Sequence, residues 1–581
     1  MSIIIPIIPA SPQRPAKGGG LRGRQASSAA RSALKALLSD APRQRDLLIE
    51  YLHLIQDAHG HLSVDMLAAL ADELKLSQAE VHEAASFYHH FDIVYDGDTA
   101  PPALTVRVCN SLSCAIAGSA ALSAGLRQSL HGSGAVRVIE VPCVGRCAQA
   151  PVAVVGQRPV HHADAPQVLA LLQQGLTQDI PPTPQSESSY ADYRAAGGYQ
   201  VLDELLAGQR SVDETIKTLS ESGLRGLGGA GFPLGRKWAI VRGQPAPRLM
   251  AVNIDEGEPG TFKDRHYLEQ QPHRFLEGLL IAAHCVEAAA VYIYLRDEYH
   301  ALRQVLADEI LALQAARPEL PDLHLRRGAG AYICGEESAM IESIEGKRGW
   351  PRQRPPYVAE SGLFGRPTLE HNMETLYWVR EILERGAGWF SGFGRHGRSG
   401  LRSFSLSGRV NKPGVHLAPA GITAQELIDE YGGGMQAGHQ LYGYFPGGAS
   451  GGILPARLAQ VPLDFDTLQA HDCFIGSAAV IVFSQMDSAR ALALNAMEFF
   501  EHESCGQCVP CREGTQRAVE LMRLPDWDQA LLEDLASVMA DASICGLGQA
   551  APNPLRSAMR YFAQEFTSDF TSDSTTRPEA S

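Results

Sequence analysis

Two groups of cysteines, far apart in the chain, restrict what this sequence can fold into more than any other feature. One group has the spacing C-x4-C and, after 28 residues, C-x3-C; the other has C-x2-C-x2-C and a fourth cysteine 34 residues later. Thiolates spaced in this way hold iron-sulfur clusters or zinc. The first group is Cys109, Cys114, Cys143 and Cys147, and the second group is Cys505, Cys508, Cys511 and Cys545.

The spacing of the second group favours a 4Fe-4S cluster. Three thiolates on one turn can hold three corners of a cubane, and a distant cysteine can hold the fourth. Zinc is the competing interpretation, but zinc sites normally pair two knuckles, and no second C-x2-C or H-x3-H accompanies this one. We therefore expect Cys545 to complete a 4Fe-4S site with the C-x2-C-x2-C turn.

The spacing of the first group is less specific for one kind of site. Four thiolates on two loops of one domain suit a 2Fe-2S cluster, while a structural zinc or two disulfides are the alternatives. The chain begins without a secretory signal, so we expect a cytoplasmic, reducing location in which cysteines serve as metal ligands. The second group also favours a cluster here, because an electron carrier gains from a second redox centre.

Charge and hydropathy exclude two classes of function. The net charge is -15, and the basic residues are scattered, which excludes a nucleic-acid-binding protein. No apolar run approaches the roughly 20 residues that cross a bilayer, so no membrane span is expected. A flexible basic arm is favoured over a transit peptide for the N-terminus, where six Lys or Arg precede the first acidic residue, Asp40.

The patterning along the 581 residues predicts a multidomain α/β protein. Apolar spacing predicts an early helical bundle with Ser63 and Ser77 as N-caps. His89 and His90 stand among aromatic residues without a cysteine or carboxylate at ligand spacing, which favours packing over a metal role. The predicted regions are an arm (1–40), a helical bundle (41–100), a 2Fe-2S domain (101–178), a linker (179–199), an α/β domain (200–400), a β-rich domain (401–490), a helical 4Fe-4S domain (491–570) and a disordered tail (571–581).

A glycine-rich segment, "SGLRGLGGAGFPLGRKW", has the chemistry of a phosphate cradle. Gly226, Gly228, Gly229 and Gly231 allow close backbone approach, so that successive N–H groups can bind an anion with Lys237 as counter-charge. The segment matches neither common nucleotide-binding motif. A phosphate-bearing ligand is therefore predicted, with a tight structural turn as the alternative.

Two acidic, glycine-rich loops follow the cradle in the sequence. Their carboxylates suit ribose or ribityl hydroxyls, an asparagine can pair with a ring edge, and a tyrosine can pack on a flat ring. Solvated acidic turns are the alternative. The residues concerned are Asn253, Asp255, Glu256, Glu258, Tyr332, Glu336 and Glu337.

Together these motifs resemble a known family. The span from about 200 to 570 is similar to the NADH-binding flavoprotein subunit of respiratory complex I and to the diaphorase subunits of NAD-linked hydrogenases and formate dehydrogenases. Residues 44 to 175 resemble the thioredoxin-like 2Fe-2S subunit that accompanies it, so the chain resembles a fusion of two subunits. The motifs that carry the resemblance are "GLRGLGGAGFPLGRKW", "DEGEPGTFKDR", "GAGAYICGEESA", "EGKRG", "SCGQCVPCREGT" and "CGLGQAAPNP".

The resemblance implies a thioredoxin-like 2Fe-2S domain, a Rossmann-like FMN and NADH domain, a β-grasp domain at 401–490 and a C-terminal helical 4Fe-4S bundle. It also implies nicotinamide nucleotide stacked over the flavin by Phe232 and Tyr357, with Glu258 and Glu337 near it. The implied FMN-binding residues are Gly226, Gly228, Lys237, Asn253, Asp255, Glu256, Tyr332, Gly335, Glu336, Asn372 and Thr375.

The sequence departs from the family pattern at three positions. Leu227 and Leu234 stand where relatives usually carry Arg and Thr, and His371 stands where many have a second Asn. The missing arginine weakens the case for an additional nucleotide-phosphate contact. For His371 a substitution without consequence is favoured over a role in flavin protonation.

The resemblance implies hydride exchange between NAD(H) and FMN, followed by single-electron transfer through the clusters, with no side chain acting as acid or base. "LYGYFPGGASGGILPA", together with "ESCGQCVPCREGTQ" and "CGLGQAAPNP", resembles the β-subunit of molybdenum- or tungsten-dependent, NAD-linked formate dehydrogenases, which implies a catalytic iron-sulfur partner subunit. The alternatives are a hydrogenase diaphorase and a complex I-type NADH dehydrogenase. An electron-transfer scaffold without nucleotide turnover and a zinc-stabilised adaptor are further alternatives, from other classes of function.

Overall fold

The computed structural model describes residues 23–181 and 189–566. It confirms a multidomain α/β protein built from three larger sheets and several groups of helices. Among the described residues, no helix has the length and apolar character required to cross a membrane.

The N-terminal region is helical, and its predicted caps are confirmed. The Ser63 side chain accepts a hydrogen bond from Met66 N, and Ser77 forms a capping box with Glu80. Residues 1–22 of the expected flexible arm lie outside the described residues, and the rest of it differs from the expectation, because a helix there buries Leu34 and Leu38 against its neighbours. The helices are Ser28–Leu38, Leu48–His59, Val64–Leu74 and Gln78–Phe87, and two short strands, Leu62–Ser63 and Ile93–Val94, pair in parallel.

The next region contains a four-stranded sheet with helices beside it. The strand that ends at Cys109 lies inside the sheet, parallel to one neighbour and antiparallel to the other. In sheet order the strands are Val136–Val141, Leu104–Cys109, Ala153–Val155 and Arg158–Val160, and the helices are Leu112–Ile116, Ser119–Ser129 and Ala165–Gln174.

The largest region has a four-stranded parallel sheet. Its inner strands are continuous apolar runs, as expected for a sheet covered on both faces. The strands, in order, are Thr368–Asn372, Arg248–Ile254, Ala288–Leu295 and Asp322–Arg327. The helices are Tyr190–Ala195, Gln200–Leu206, Val212–Glu221, Leu234–Arg242, Lys263–Gln270, Pro272–Val286, His300–Ala316, Glu337–Ile344, Met373–Tyr377, Val379–Arg385 and Ala387–Ser391.

The rest of the chain forms a mixed five-stranded sheet and a helical bundle. In sheet order the strands are Gly414–Pro419, Leu401–Gly408, Ala479–Ser484, Leu441–Phe445 and Leu454–Pro455, with a short helix Ala424–Glu426 that continues to Tyr431. The bundle consists of Ala489–Glu503, Val509–Met522, Gln529–Ala542, Gly546–Ala550 and Asn553–Tyr561.

The region predicted as a linker also differs from expectation. Tyr193 and Tyr199, within and beside two short helices, are buried. The Tyr193 hydroxyl donates to the buried Glu277 carboxylate at 2.7 Å, and Tyr199 N donates to the same carboxylate at 2.8 Å. This part of the segment is therefore tied to the large domain, whereas 182–188 and the predicted tail 571–581 lie outside the described residues.

Candidate functional site

A cavity of about 430 Å³ opens at the carboxyl ends of the strands Arg248–Ile254 and Thr368–Asn372. Crevices at this edge of a parallel sheet are common ligand sites. The glycine-rich loop and both acidic loops form its wall. Of the residues predicted to bind cofactor, the wall contains Gly226, Gly228, Phe232, Lys237, Asn253, Asp255, Glu256, Glu258, Tyr332, Gly335, Glu336, Glu337 and Asn372.

The glycine-rich loop is packed too closely for a side chain at one position. A Cβ atom on Gly228 would lie 2.9 Å from Asn372 Cβ. Behind the loop, Leu227 N donates to the buried Thr375 hydroxyl at 2.9 Å, so Thr375 supports the loop and does not line the cavity. Tyr357 is also absent from the wall, and 54% of it is exposed.

Lys237 provides positive charge beside the loop, but it already has acidic partners. Its Nζ lies 3.0 Å from Glu370 Oε2 and 3.9 Å from Glu337 Oε2. Burial raises the pKa of Glu370, and the lysine opposes that rise. Glu370 was not predicted, because no glycine-rich or acidic motif surrounds it in the sequence.

The adjacent acids Asp255 and Glu256 have different surroundings. Glu256 accepts hydrogen bonds from Asp264 N, Arg265 N and the Tyr299 hydroxyl, at 2.7–3.1 Å. Asp255 Oδ2 is buried without a hydrogen-bond partner among the described residues, and burial raises the Asp255 pKa well above its ordinary value. An orphaned carboxylate oxygen beside a cavity fits a ligand that supplies hydroxyl donors.

Glu258 joins three parts of the wall. It accepts hydrogen bonds from the Tyr332 hydroxyl and from Ser450, whose N and Oγ lie at 2.7 and 2.9 Å. Burial raises the pKa of Glu258, and the bond from Tyr332 opposes this. The carboxylate is therefore held in one position.

Other predicted polar residues are also engaged in local structure. Asn253 Nδ2 donates to Gly335 O at 2.8 Å, which ties the two acidic loops together. Glu336 caps the helix Glu337–Ile344 by accepting from Ser338 N and Ala339 N. Arg354, which sequence reasoning missed, lies 2.5 Å from Glu336 and 2.8 Å from Glu337 and also lines the cavity.

His371 lines the same cavity. Trp238 Nε1 donates to His371 Nε2 at 2.8 Å, which leaves the ring proton on Nδ1 when the imidazole is neutral. Burial and the nearby Lys237 lower the His371 pKa well below its ordinary value. His371 is thus a neutral ring with a fixed tautomer.

The first cysteine group comes together under the strand ends of the 2Fe-2S domain. All four residues are buried free thiols. Cys109 contacts Cys114 and Cys143, and Cys143 Sγ lies 3.3 Å from Cys147 Sγ. No disulfide joins any of the four, and the cluster of thiols fits an iron-sulfur centre.

The second group comes together at two helix starts. Cys508 and Cys545 precede the helices Val509–Met522 and Gly546–Ala550, and Cys511 lies in the first turn of the former. The Cys511 thiol contacts the Cys508 thiol, and Cys505 lies near Cys508 and Cys545. These thiols are also free, which fits a cubane.

Both groups are connected to the wall of the cavity. Gly546 and Leu547, which directly follow Cys545, are part of the wall, and Tyr332 N donates to the Glu503 carboxylate at 2.9 Å. On the other side, the Arg296 guanidinium donates to Cys143 O at 2.7 Å and to Glu256 O.

Comparison with known proteins matches this arrangement. The family model for the Nuo51 FMN-binding domain matches residues 219–381, the thioredoxin-like [2Fe-2S] ferredoxin matches 34–175, and the NADH-ubiquinone oxidoreductase-F iron-sulfur binding region matches 491–569. An NADH-quinone oxidoreductase subunit of Rhizobium meliloti is 41% identical over 390 residues, which cover 64% of this chain and 92% of that protein. The chain belongs to the family of the F subunits of NADH-quinone oxidoreductase.

Further similarities extend over both halves of the chain. NADH dehydrogenase [ubiquinone] flavoprotein 1 of Dictyostelium discoideum is 41% identical and matches 61% of this chain and 78% of its own length. A solved chain of an NAD+-reducing [NiFe]-hydrogenase has a TM-score of 0.78 at 32% identity and covers 90% of this chain and 92% of its own. The protein is thus an NADH-binding flavoprotein subunit of the diaphorase type, with FMN, 2Fe-2S and 4Fe-4S as cofactors.

Proposed function

We propose that this chain exchanges a hydride between NAD(H) and FMN in the 430 Å³ cavity and single electrons with a partner subunit through its clusters. The observation that carries this proposal is the position of Gly546 and Leu547 in the cavity wall, directly after Cys545. A cofactor in the cavity would lie beside a ligand of the 4Fe-4S cluster.

The residues around the cavity fit FMN. We assign the phosphate to the N–H groups of the glycine-rich loop, which lines the cavity and packs directly on Asn372 at Gly228. The orphaned Asp255 oxygen would accept hydrogen bonds from hydroxyl groups of the ribityl chain. Asn253, Gly335, Glu336 and Asn372 shape the pocket, and Thr375 holds the loop from behind.

We assign the nicotinamide nucleotide to the open side of the cavity. Phe232 lies there with 39% of its surface exposed, and Tyr357 is exposed on a neighbouring loop, so both rings are accessible for stacking. Glu258, fixed by Tyr332 and Ser450, positions the nucleotide and excludes other orientations by charge. No side chain is assigned to proton transfer, because a hydride needs only correct placement of donor and acceptor.

We further propose that the partner is the catalytic subunit of a molybdenum- or tungsten-dependent formate dehydrogenase. The support is the resemblance carried by "LYGYFPGGASGGILPA", which forms the strand Leu441–Phe445 and the loop that places Ser450 on Glu258. A hydrogenase catalytic subunit is the second candidate, and the whole-chain likeness to an NAD+-reducing hydrogenase chain favours it.

The activity is tested with the purified chain, reconstituted with FMN and iron. Reduction of ferricyanide by NADH is expected, together with the visible absorption of flavin and iron-sulfur clusters. Full flavin and iron occupancy without NADH oxidation would support an electron-transfer scaffold instead. A colourless protein that contains zinc in place of iron would support the adaptor.

The partner is tested by copurification of the chain from its native host. Formate-dependent NAD+ reduction by the copurified complex is the expected result. Hydrogen-dependent reduction without formate activity would replace this proposal with the hydrogenase assignment.

A further inference from the structure

A group of two histidines and one aspartate lies apart from the cavity described above; His53 is buried, and His90 and Asp297 are half-buried. His53 is on the helix Leu48–His59, His90 follows the helix Gln78–Phe87, and Asp297 follows the strand Ala288–Leu295. One potential ligand atom of each lies within 4.8 Å of the other two. The sequence favoured packing for His90 because no carboxylate was near it; the fold provides one from a distant segment.

Each imidazole is held through one nitrogen and has the other without a partner. His53 Nε2 donates to Gly328 O at 2.8 Å, and His90 Nδ1 lies 2.9 Å from Asp297 Oδ2. His53 Nδ1 and His90 Nε2 are buried and have no hydrogen-bond partner among the described residues. His53 is thus oriented as metal-binding histidines commonly are, with its second nitrogen bonded to a carbonyl, while His90 Nδ1 and Asp297 Oδ2 are potential ligand atoms 2.9 Å apart.

The distance between the two rings fits a shared ion. Two imidazoles bound to one ion at about 2.1 Å, with an angle of about 90–110° between them, have centroids roughly 4.6–5.3 Å apart. The centroids of His53 and His90 are 4.7 Å apart. In a second group of possible ligands, the rings of His89 and His502 are 4.2 Å apart, closer than this range, and both residues are exposed.

Charges of both signs surround the group. Asp297 lies 2.5 Å from Arg327, which also lies 2.6 Å from Asp57, and Arg107 and Arg303 are close enough to act on Asp297. Arg327 bonds to Asp297 Oδ1, so that Oδ2 is left facing His90.

We propose that His53, His90 and Asp297 bind a divalent transition-metal ion of the zinc type. Imidazole and carboxylate are both common zinc ligands, and small side-chain shifts bring the three groups to bonding distance. A neighbouring cavity of about 330 Å³, lined in part by His90 and Asp297, supplies water for an open coordination position. The ion ties the N-terminal helices to the parallel sheet.

The test uses the full-length chain with its clusters and flavin in place. Wild type, H53Q, H90Q and H89Q are incubated with excess Zn²⁺, desalted against a weak chelator and analysed for zinc and iron. Stoichiometric zinc in wild type and H89Q, with zinc near background in H53Q and H90Q at unchanged iron content, is the expected result. H89Q is the matched control, because His89 is the adjacent histidine but faces His502.

Equal zinc in wild type, H53Q and H90Q, or loss of zinc in H89Q alone, would overturn the proposal. If the histidine variants do not fold, zinc K-edge X-ray absorption of the wild type tests the proposal instead. Nitrogen and oxygen neighbours near 2.0–2.1 Å support the site. Sulfur neighbours, or no retained zinc, contradict it.

Discussion

The two cysteine groups differ in how the fold surrounds them. Cys109, Cys114, Cys143 and Cys147 are all buried, and the loop that contains the last two is covered by Arg265 and Tyr299 of the large domain. Cys505, Cys508 and Cys545 are only half-buried. The neighbouring Val509 is 58% exposed.

This difference indicates different roles. The second group connects the cavity wall, through Gly546 and Leu547, with the protein surface. The first group is enclosed, and among the described residues none of its members lines that cavity. We therefore expect electron transfer from this chain to its partner to depend strongly on the second group and much less on the first.

The strongest way to break this comparison is to remove one ligand from each group. C545S is expected to abolish the 4Fe-4S signal and lower NAD+ reduction by the complex by roughly a hundredfold, because the electron path is cut beside the cavity. C114S is expected to abolish only the 2Fe-2S signal and retain most activity. Electron paramagnetic resonance and partner-dependent turnover measure both, and equal loss of turnover in the two variants would contradict the distinction.

Asp255 tests whether the cavity is the flavin site. D255N replaces the orphaned acceptor oxygen by an amide nitrogen that cannot accept a hydrogen bond, and a buried polar group left without its partner costs about 1–3 kcal/mol. FMN affinity, measured by fluorescence quenching on the flavin-free chain, should fall by roughly ten- to a hundredfold. E256Q is the control: Glu256 is satisfied by protein donors, so its replacement should affect FMN binding less. Unchanged affinity in D255N would argue against the assignment.

Substitution of Gly145 tests how much the contact between the loop of the first cysteine group and Tyr299 of the large domain contributes to stability. A Cβ atom there would lie 2.3 Å from the Tyr299 hydroxyl, and Gly145 has a positive φ of 71°. G145A should lower the free energy of unfolding by about 2–4 kcal/mol, from strain and overpacking together. Gly60 also has a positive φ, 74°, but no atom lies within 4 Å of its added Cβ, so G60A should cost only about 1 kcal/mol. Chemical denaturation measures both, and equal costs would show that the docking contact contributes little.

Glu256, between the cavity and the first group, gives the smallest predicted effect. Burial and then Asp264 raise its pKa to about 7. A carboxyl group with a raised pKa stabilises the folded state at low pH, and this contribution is lost as the pH rises through about 7. In the flavin-free chain, the wild type should therefore lose more stability than E256Q between about pH 5 and pH 8. Parallel denaturation midpoints for the two chains across this range would contradict the predicted shift.

Local patterns in the sequence predicted much of this molecule. The Cys109 strand and the Ser77 N-cap follow from short-range patterning and capping chemistry, and the glycine-rich and acidic loops of the cavity wall follow from the chemistry of short segments. The burial of Tyr193 and Tyr199 in the predicted linker could not be predicted from local patterns, because it depends on Glu277, many residues away in the sequence.

The missed site residues have the same physical origin. Glu370 and Arg354 acquire their positions only when strands and loops from separate segments meet at the cavity. The predicted residue Thr375 has its hydroxyl turned toward Leu227 N behind the loop. Motifs indicated the chemistry of the site, while pairing across the fold determined which side chains face it.

The most direct test of the account is to add NADH to the purified chain with and without FMN and to follow the 4Fe-4S cluster by electron paramagnetic resonance. With FMN bound, NADH should reduce the cluster rapidly, and the FMN-free chain should show no reduction. Cluster reduction without FMN, or an unreduced cluster in the FMN-loaded chain, would contradict the claim that the cavity beside Cys545 supplies its electrons.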